Sequence, residues 1–228
     1  MGRAGRASGV AGATTRGLAA DLAEDEFADF VDFGVVLDDP VVAGDAGVEH
    51  AVFDVAADFL RADQAERRLC LLANAAARRR LVRATFRAVS RLGDGVFWYS
   101  LMVALPLLQG VAGLVVTARM ALVGAIGLGL YRVLKHRLVR ERPYIGLVGI
   151  DCAMPPLDRY SFPSGHTLHA VSFTTVVLAT FPWLAPVLVP FAAMVAASRI
   201  ILGLHYPTDV AAGAVLGYAV AQGVLLLG

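Results

Sequence analysis

The chain has 228 residues, of which 57% are hydrophobic and only 17% charged, with a mean hydropathy of +0.65. An ordinary soluble domain carries about 25% charged residues, so the composition excludes an average soluble globular protein, while the net charge of +1 identifies no class of partner. The charge is unevenly spread: 14 of the 19 acidic residues lie in positions 1–66, and only Asp94, Glu141, Asp151, Asp158 and Asp209 follow.

Residues 1–20 are rich in Gly, Ala, Arg and Thr. They lack the apolar core of a cleavable secretory signal and are expected to form a disordered tail. Residues 21–91 read as a polar, amphipathic helical region. Within it, 48–91 is Ala-rich, free of Pro and Gly, and apolar at spacings of three and four, a helical period. Nine arginines fall between Arg61 and Arg91, so no span there offers the roughly 20 uncharged residues of a membrane crossing. Two readings fit this region: a helical hairpin lying on the membrane surface with arginines at the headgroups, and a small soluble helical subdomain.

Residues 92–228 read as a membrane-embedded domain. "GVFWYSLMVALPLLQGVAGLVVTA" (95–118) is uncharged and opens with aromatic residues, as at a membrane interface. Pro106 and the glycines at 110 and 113 predict a kink and a turn. Four further segments follow: 115–134, 166–181, 183–199 and 209–228. The third and fourth crossings are about 25 Å long at 1.5 Å per residue and need flanking residues or a thinned bilayer to span. Phe181-Pro182-Trp183 suits a tight helical hairpin, and the small residues of the last segment favour close helix contact. The expected fold is all-α: a polytopic bundle of about five transmembrane helices behind an N-terminal amphipathic region. Cys70 and Cys152 fit neither a metal spacing nor a disulfide framework.

Three polar clusters interrupt the apolar part: "KHRLVRERPY", "PSGH" and "SRIILGLHYPTD". With alternating crossings, all three emerge on one face, which gathers Lys135, Arg142, Ser164, His166, Arg199 and His205. Lysine and arginines suit phosphoryl oxygens. Ser164 and Gly165 stand at a helix start, where backbone N–H groups favour an anion. His205 and Asp209 are four apart, so a helical turn brings the carboxylate to the imidazole. The carboxylate would fix the tautomer and leave one ring nitrogen for nucleophilic attack. His166 is then available as general acid. Singly, each feature has an ordinary structural explanation: interfacial anchors for Arg142 and Arg199, a helix cap for Ser164-Gly165, a satisfied polar residue for His166. His169 reads as packing or a supporting hydrogen bond. His50, His136, Arg137, Arg140 and Glu141 read as residues without a role in chemistry, the last three as solvated charges.

Together the clusters resemble the type 2 phosphatidic acid phosphatase superfamily, which includes lipid phosphate phosphatases, bacterial acid phosphatases and vanadium haloperoxidases. Its signature is K-x6-R-P, P-S-G-H and S-R-x5-H-x3-D. This chain reads Lys135…Arg142-Pro143, Pro163-Ser164-Gly165-His166 and Ser198-Arg199…His205…Asp209, and its single lysine falls on the signature lysine. The resemblance covers roughly residues 92–228. It implies a phosphohistidine mechanism with His205 as nucleophile, Asp209 orienting it and His166 as the acid. Lys135, Arg142, Ser164, Gly165 and Arg199 would hold the phosphoryl group.

The resemblance implies no metal and no cofactor. The implied partners are a lipid phosphate substrate and membrane lipids, with no nucleic acid and no obligate protein partner. The expected function is hydrolysis of a lipid phosphate or polyprenyl diphosphate by an integral protein of a bacterial cytoplasmic membrane. Alternatives are a lipid-linked phosphotransferase on the same scaffold and a catalytically silent membrane scaffold. Members with six crossings carry a further membrane helix before the "GDG" stretch, which residues 48–91 are too charged to supply. The arginines of 61–91 point to a cytoplasmic active site, whereas bacterial lipid phosphatases of this family generally work on the outer face.

Overall fold

The computed structural model describes residues 63–156 and 159–227. The expected tail at 1–20 and the segment 21–62 lie outside them. The described residues are almost wholly helical; the only β-type pairing among them is an isolated bridge between Glu141 and Tyr160.

Of the arginine-rich stretch, the described part forms two helices, α1 (63–76) and α2 (Arg80–Arg91), joined by a tight turn. The chain then winds through a wider helical turn, Leu92–Val96. Gly95 has φ 136° there, a conformation open to glycine and strained for other residues. A Cβ at Gly93 would lie 2.7 Å from Val195, so this turn packs directly on a later helix.

The helical stretch Phe97–Arg137 doubles back at Gly110, whose φ of 57° breaks the regular path. Its legs are α3 (97–109) and α4 (111–137). They touch closely: a Cβ at Gly113 would fall 2.0 Å from the Leu105 carbonyl oxygen, and the Thr117 hydroxyl donates to the Met102 carbonyl at 3.0 Å. The kink and turn expected at 106–113 are thus one helical hairpin. A single turn, α5 (Pro143–Gly146), follows, with Pro143 at its first position.

The remaining helices are α6 (Gly165–Thr180), α7 (Ala185–Ile201) and α8 (Pro207–Leu226). The junction between α6 and α7 is the short helical turn Pro182–Leu184. α6 is the axle of the bundle, packing against α4, α7 and α8. α8 approaches through glycines. A Cβ at Gly213 would lie 2.5 Å from the Ser164 carbonyl oxygen, and one at Gly217 would lie 2.3 Å from that of Leu168. The main core runs from Trp98 through Val116, Met120 and Val123 of α4 to Val176, Val177 and Val195. Trp98 is fastened between Phe97, Phe173 and Phe191.

Three stretches among the described residues are long and apolar enough to cross a membrane: Arg80–Arg137, Pro182–Ile201 and Pro207–Leu226. The first contains the hairpin, and α6 has 16 residues. Leu107, Leu108, Val111, Val187, Val215 and Leu226 expose more than half of their surfaces, as lipid-facing side chains do. The chain is an all-α, polytopic integral membrane protein.

Candidate active site

The polar clusters meet at one end of the bundle because α8 is bound to the start of α6. The Ser164 backbone N–H donates to the Asp209 carbonyl (3.1 Å), beside the close approach of Gly213. At the end of α7, the Arg199 carbonyl accepts the N–H groups of both Leu204 and His205 (3.0 Å each). Gly203, at φ 74°, makes the turn between them. This loop presents His205 to its neighbours.

His205 is 2% exposed. Its Nδ1 faces Asp209 Oδ2 at 3.7 Å, an ion-pair distance longer than a hydrogen bond. Its Nε2 lies 3.3 Å from an Arg142 guanidinium nitrogen. A guanidinium only donates, so Nε2 accepts and the ring proton sits on Nδ1, towards Asp209. Burial pushes the His205 pKa down to about 3, with Arg199 and Arg142 adding to the shift and Asp209 opposing it. At neutral pH the imidazole is therefore neutral, with a lone pair aimed at the cations.

Asp209 is fully buried. As the third residue of α8, it accepts the Tyr206 backbone N–H with Oδ2 (2.9 Å), a carboxylate at a helix N-terminus where the dipole favours it. Its Oδ1 accepts from Arg140 (2.8 Å).

Arg142 and Arg199 are almost completely buried. Arg142 donates to the Leu204 carbonyl (2.8 Å) and Arg199 to the Ser90 hydroxyl (2.7 Å). Lys135, also buried, donates to the Tyr131 hydroxyl one turn back (2.6 Å). The Tyr131 ring in turn covers Gly165, where a Cβ would lie 2.9 Å from it. Ser164, at the N-cap of α6, is buried, with its hydroxyl 3.0 Å from that of Thr167. Ser164, Asp209, His205, Arg142 and Arg199 are thus joined by close contacts at one end of the bundle, and Lys135 reaches Gly165 through Tyr131.

His166 opens the first turn of α6, and its Nε2 is 3.1 Å from Asp94 Oδ1. Sequence reasoning missed Asp94. The available signal was an isolated carboxylate at the head of an apolar segment, which is a functional hypothesis in its own right. His169 bears out its expected supporting role: Nδ1 donates to the Gly165 carbonyl (2.8 Å).

Arg140 departs from the expectation of a solvated charge. It bridges Asp209 and Glu66 (2.6 Å to the latter), with its guanidinium 4.0 Å from the Tyr206 ring centroid. Burial works against its charge, but the two carboxylates outweigh that and raise its pKa. Arg137 and Glu141 are exposed, as expected, and so is His136.

A cavity of about 500 Å³ opens beside His166. Asp94, Tyr131, Gly165 and His166 form its polar part; Trp98, Met102, Met120, Leu128 and Phe173 line the rest. It runs between α3, α4 and α6.

Fold and site together define a membrane helical bundle with clustered cations and two carboxylate-paired histidines at one end. Residues 111–227 match the description of the PAP2 superfamily. The chain belongs to that superfamily. It is 30% identical over 130 residues to an undecaprenyl-diphosphatase of Sulfolobus acidocaldarius, covering 57% of this chain and 62% of that one. It is 44% identical over 93 residues to a decaprenylphosphoryl-5-phosphoribose phosphatase of Mycobacterium tuberculosis, covering 39% of this chain and 48% of that one. The chain thus spans about half to three-fifths of the length of these relatives.

Among solved structures, Aquifex aeolicus LpxE superposes with a TM-score of 0.62 at 27% identity, over 70% of this chain and 93% of that one. A transmembrane PAP2-type phosphatidylglycerolphosphate phosphatase of Bacillus subtilis gives 0.57 at 23% identity, over 73% and 86%. The latter likeness is one of fold.

Proposed function

We propose that the chain is a lipid phosphatase that hydrolyses a lipid phosphate or polyprenyl diphosphate through a phosphohistidine. The observation that carries this reading is the setting of His205, buried with Nδ1 towards Asp209 and Nε2 towards Arg142. Lys135, Arg142 and Arg199 gather the phosphoryl oxygens, with the free N–H groups at the start of α6 beside Ser164 and Gly165. Nε2 attacks phosphorus as the ester or anhydride oxygen departs, and that oxygen takes the proton of His166. The cationic phosphoimidazole ring is balanced by Asp209. Water then attacks phosphorus and loses its proton to His166; the P–N bond breaks, and phosphate leaves with His205 neutral again. Asp94 stabilises the protonated state of His166 in each cycle.

The cations supply the electrostatic stabilisation that a metal supplies elsewhere, so no metal ion enters these steps. The apolar cavity beside His166 suits the proximal part of a lipid chain, and both relatives described above are named for polyprenyl substrates. The catalytic unit is assigned to 92–228, preceded by the amphipathic region 21–91.

The test is phosphate release from a panel of lipid phosphates in detergent. His205→Ala is expected to lose activity by several orders of magnitude while keeping its thermal unfolding profile, and a chelator should change nothing. Equal activity in variant and wild type would remove the nucleophile; strong inhibition by chelation would require a metal. With an added alcohol acceptor, appearance of its phosphate ester would convert the reading to a phosphotransferase.

A further inference from the structure

Glu66 lies on α1, outside the residues that match the superfamily and outside every step described above. Its carboxylate is nevertheless buried and fully engaged. Oε2 accepts from one terminal nitrogen of Arg140 (2.6 Å), and Oε1 accepts from the Thr208 backbone N–H (2.9 Å) and the Thr208 hydroxyl. The other terminal nitrogen of Arg140 donates to Asp209 Oδ1 (2.8 Å) and to Thr208 Oγ1 (2.7 Å). One guanidinium thus joins a carboxylate on α1 to the carboxylate facing His205.

α1 is pinned over this spot a second time. The Asn74 amide donates to the Asp151 and Ile201 carbonyls (3.0 and 3.1 Å) and accepts the Asp151 N–H (2.9 Å). Between the two anchors, Cys70 packs with Ile150 and Tyr206. Burial, with Glu66 and Asp209 adding, pushes its thiol up to about 12, so Cys70 brings no competing charge.

We propose that Glu66 is a positioning residue for phosphoryl transfer, acting through Arg140 and Asp209 on His205. This rests on the phosphohistidine reading. The physical argument is a balance of charge and of geometry. Asp209 must hold the ring proton on Nδ1 and offset the positive charge of the phosphorylated ring. An Arg140 paired with Asp209 alone would spend its whole charge there and weaken the field of Asp209 at the ring. Glu66 takes half of that pairing. It also holds the planar fork of the guanidinium in place, which fixes Oδ1 and leaves Oδ2 facing Nδ1.

The test uses the full chain in detergent, with dioleoyl phosphatidate as probe. Glu66→Gln keeps the size of the side chain and one acceptor oxygen, and removes the charge. Its kcat should fall about tenfold or more, with KM within about twofold and the unfolding midpoint unchanged. Because contacting residues acting in one relay are non-additive, adding Glu66→Gln to Arg140→Gln should cost less than about twofold more. Wild-type kcat in Glu66→Gln, or full multiplication of the two effects, would overturn the proposal.

If Glu66→Gln unfolds more easily, Arg140→Lys decides. Lysine keeps the charge but offers no fork to span two carboxylates, so kcat should still fall; wild-type kcat there overturns the relay. His205→Ala separates this proposal from its premise. An active His205→Ala sinks the phosphohistidine reading itself, whereas an inactive His205→Ala beside a fully active Glu66→Gln sinks only the role of Glu66.

Discussion

Each histidine of the site has its own carboxylate, and the two pairs differ in setting. Asp209 is fully buried beside His205, whereas the Asp94 side chain is 41% exposed beside His166. The less buried pair suits a group that gives a proton and takes one back from water. Asp94→Asn should therefore lower kcat by about tenfold or more for an alkyl lipid phosphate, as part of the roughly 10²–10⁴-fold contribution of general acid catalysis. The loss should nearly vanish in the first, phenolate-releasing step with p-nitrophenyl phosphate, read as the pre-steady-state burst, because that leaving oxygen needs no proton. An equal loss for both substrates would assign Asp94 a purely structural part. The signature residues were legible in the sequence because their chemistry is packed into three short strings. Asp94, Arg140 and Glu66 were not, because their meaning lies in partners far along the chain. Arg140 in "KHRLVRERPY" looks like any interfacial arginine until Glu66, 74 residues earlier, and Asp209, 69 residues later, close on it.

Among the helices, α6 and α8 hold Gly165, His166 and Asp209 of the candidate site, and glycine sets their separation. Gly213 meets the Ser164 carbonyl, so a methyl group there pushes apart the two segments that hold Ser164 and Asp209. Gly213→Ala should cost about 1–3 kcal/mol, as overpacking does, and should reduce activity with it. Gly129, exposed on α4 with open space where a methyl group would go, is the control. Gly129→Ala should leave the unfolding midpoint unchanged or raise it by up to about 1 kcal/mol equivalent, since alanine favours a helix interior. Equal losses in both variants would show that the α6–α8 contact is not the cause. Composition alone announced this packing through the small residues of the last helix, as Pro106 and the nearby glycines announced the hairpin. The wide turn at Leu92–Val96 carried no such signal; its shape follows from Gly93 lying against Val195, a contact between segments about a hundred residues apart.

At the scale of the molecule, the ends of the bundle differ in charge. α1, α2 and the turn between them bring eight arginines to the end that holds the site, joined to it through Glu66–Thr208 and Ser90–Arg199. The positive-inside rule predicts the cytoplasm for that end, against the outer face on which bacterial lipid phosphatases of the superfamily generally work. α8 starts at the site and runs away from it for 20 residues, so a reporter fused after Gly228 should be active in the periplasm. Activity only in the cytoplasm would place the site on the outer face, where bacterial lipid phosphatases of this kind generally work. The Arg140 bridge also joins residues made at well-separated times during synthesis. Glu66 leaves the ribosome first, Arg140 next, and His205 with Asp209 after both. Glu66 and Arg140, which hold Asp209 in place, are therefore made before the nucleophile that Asp209 serves.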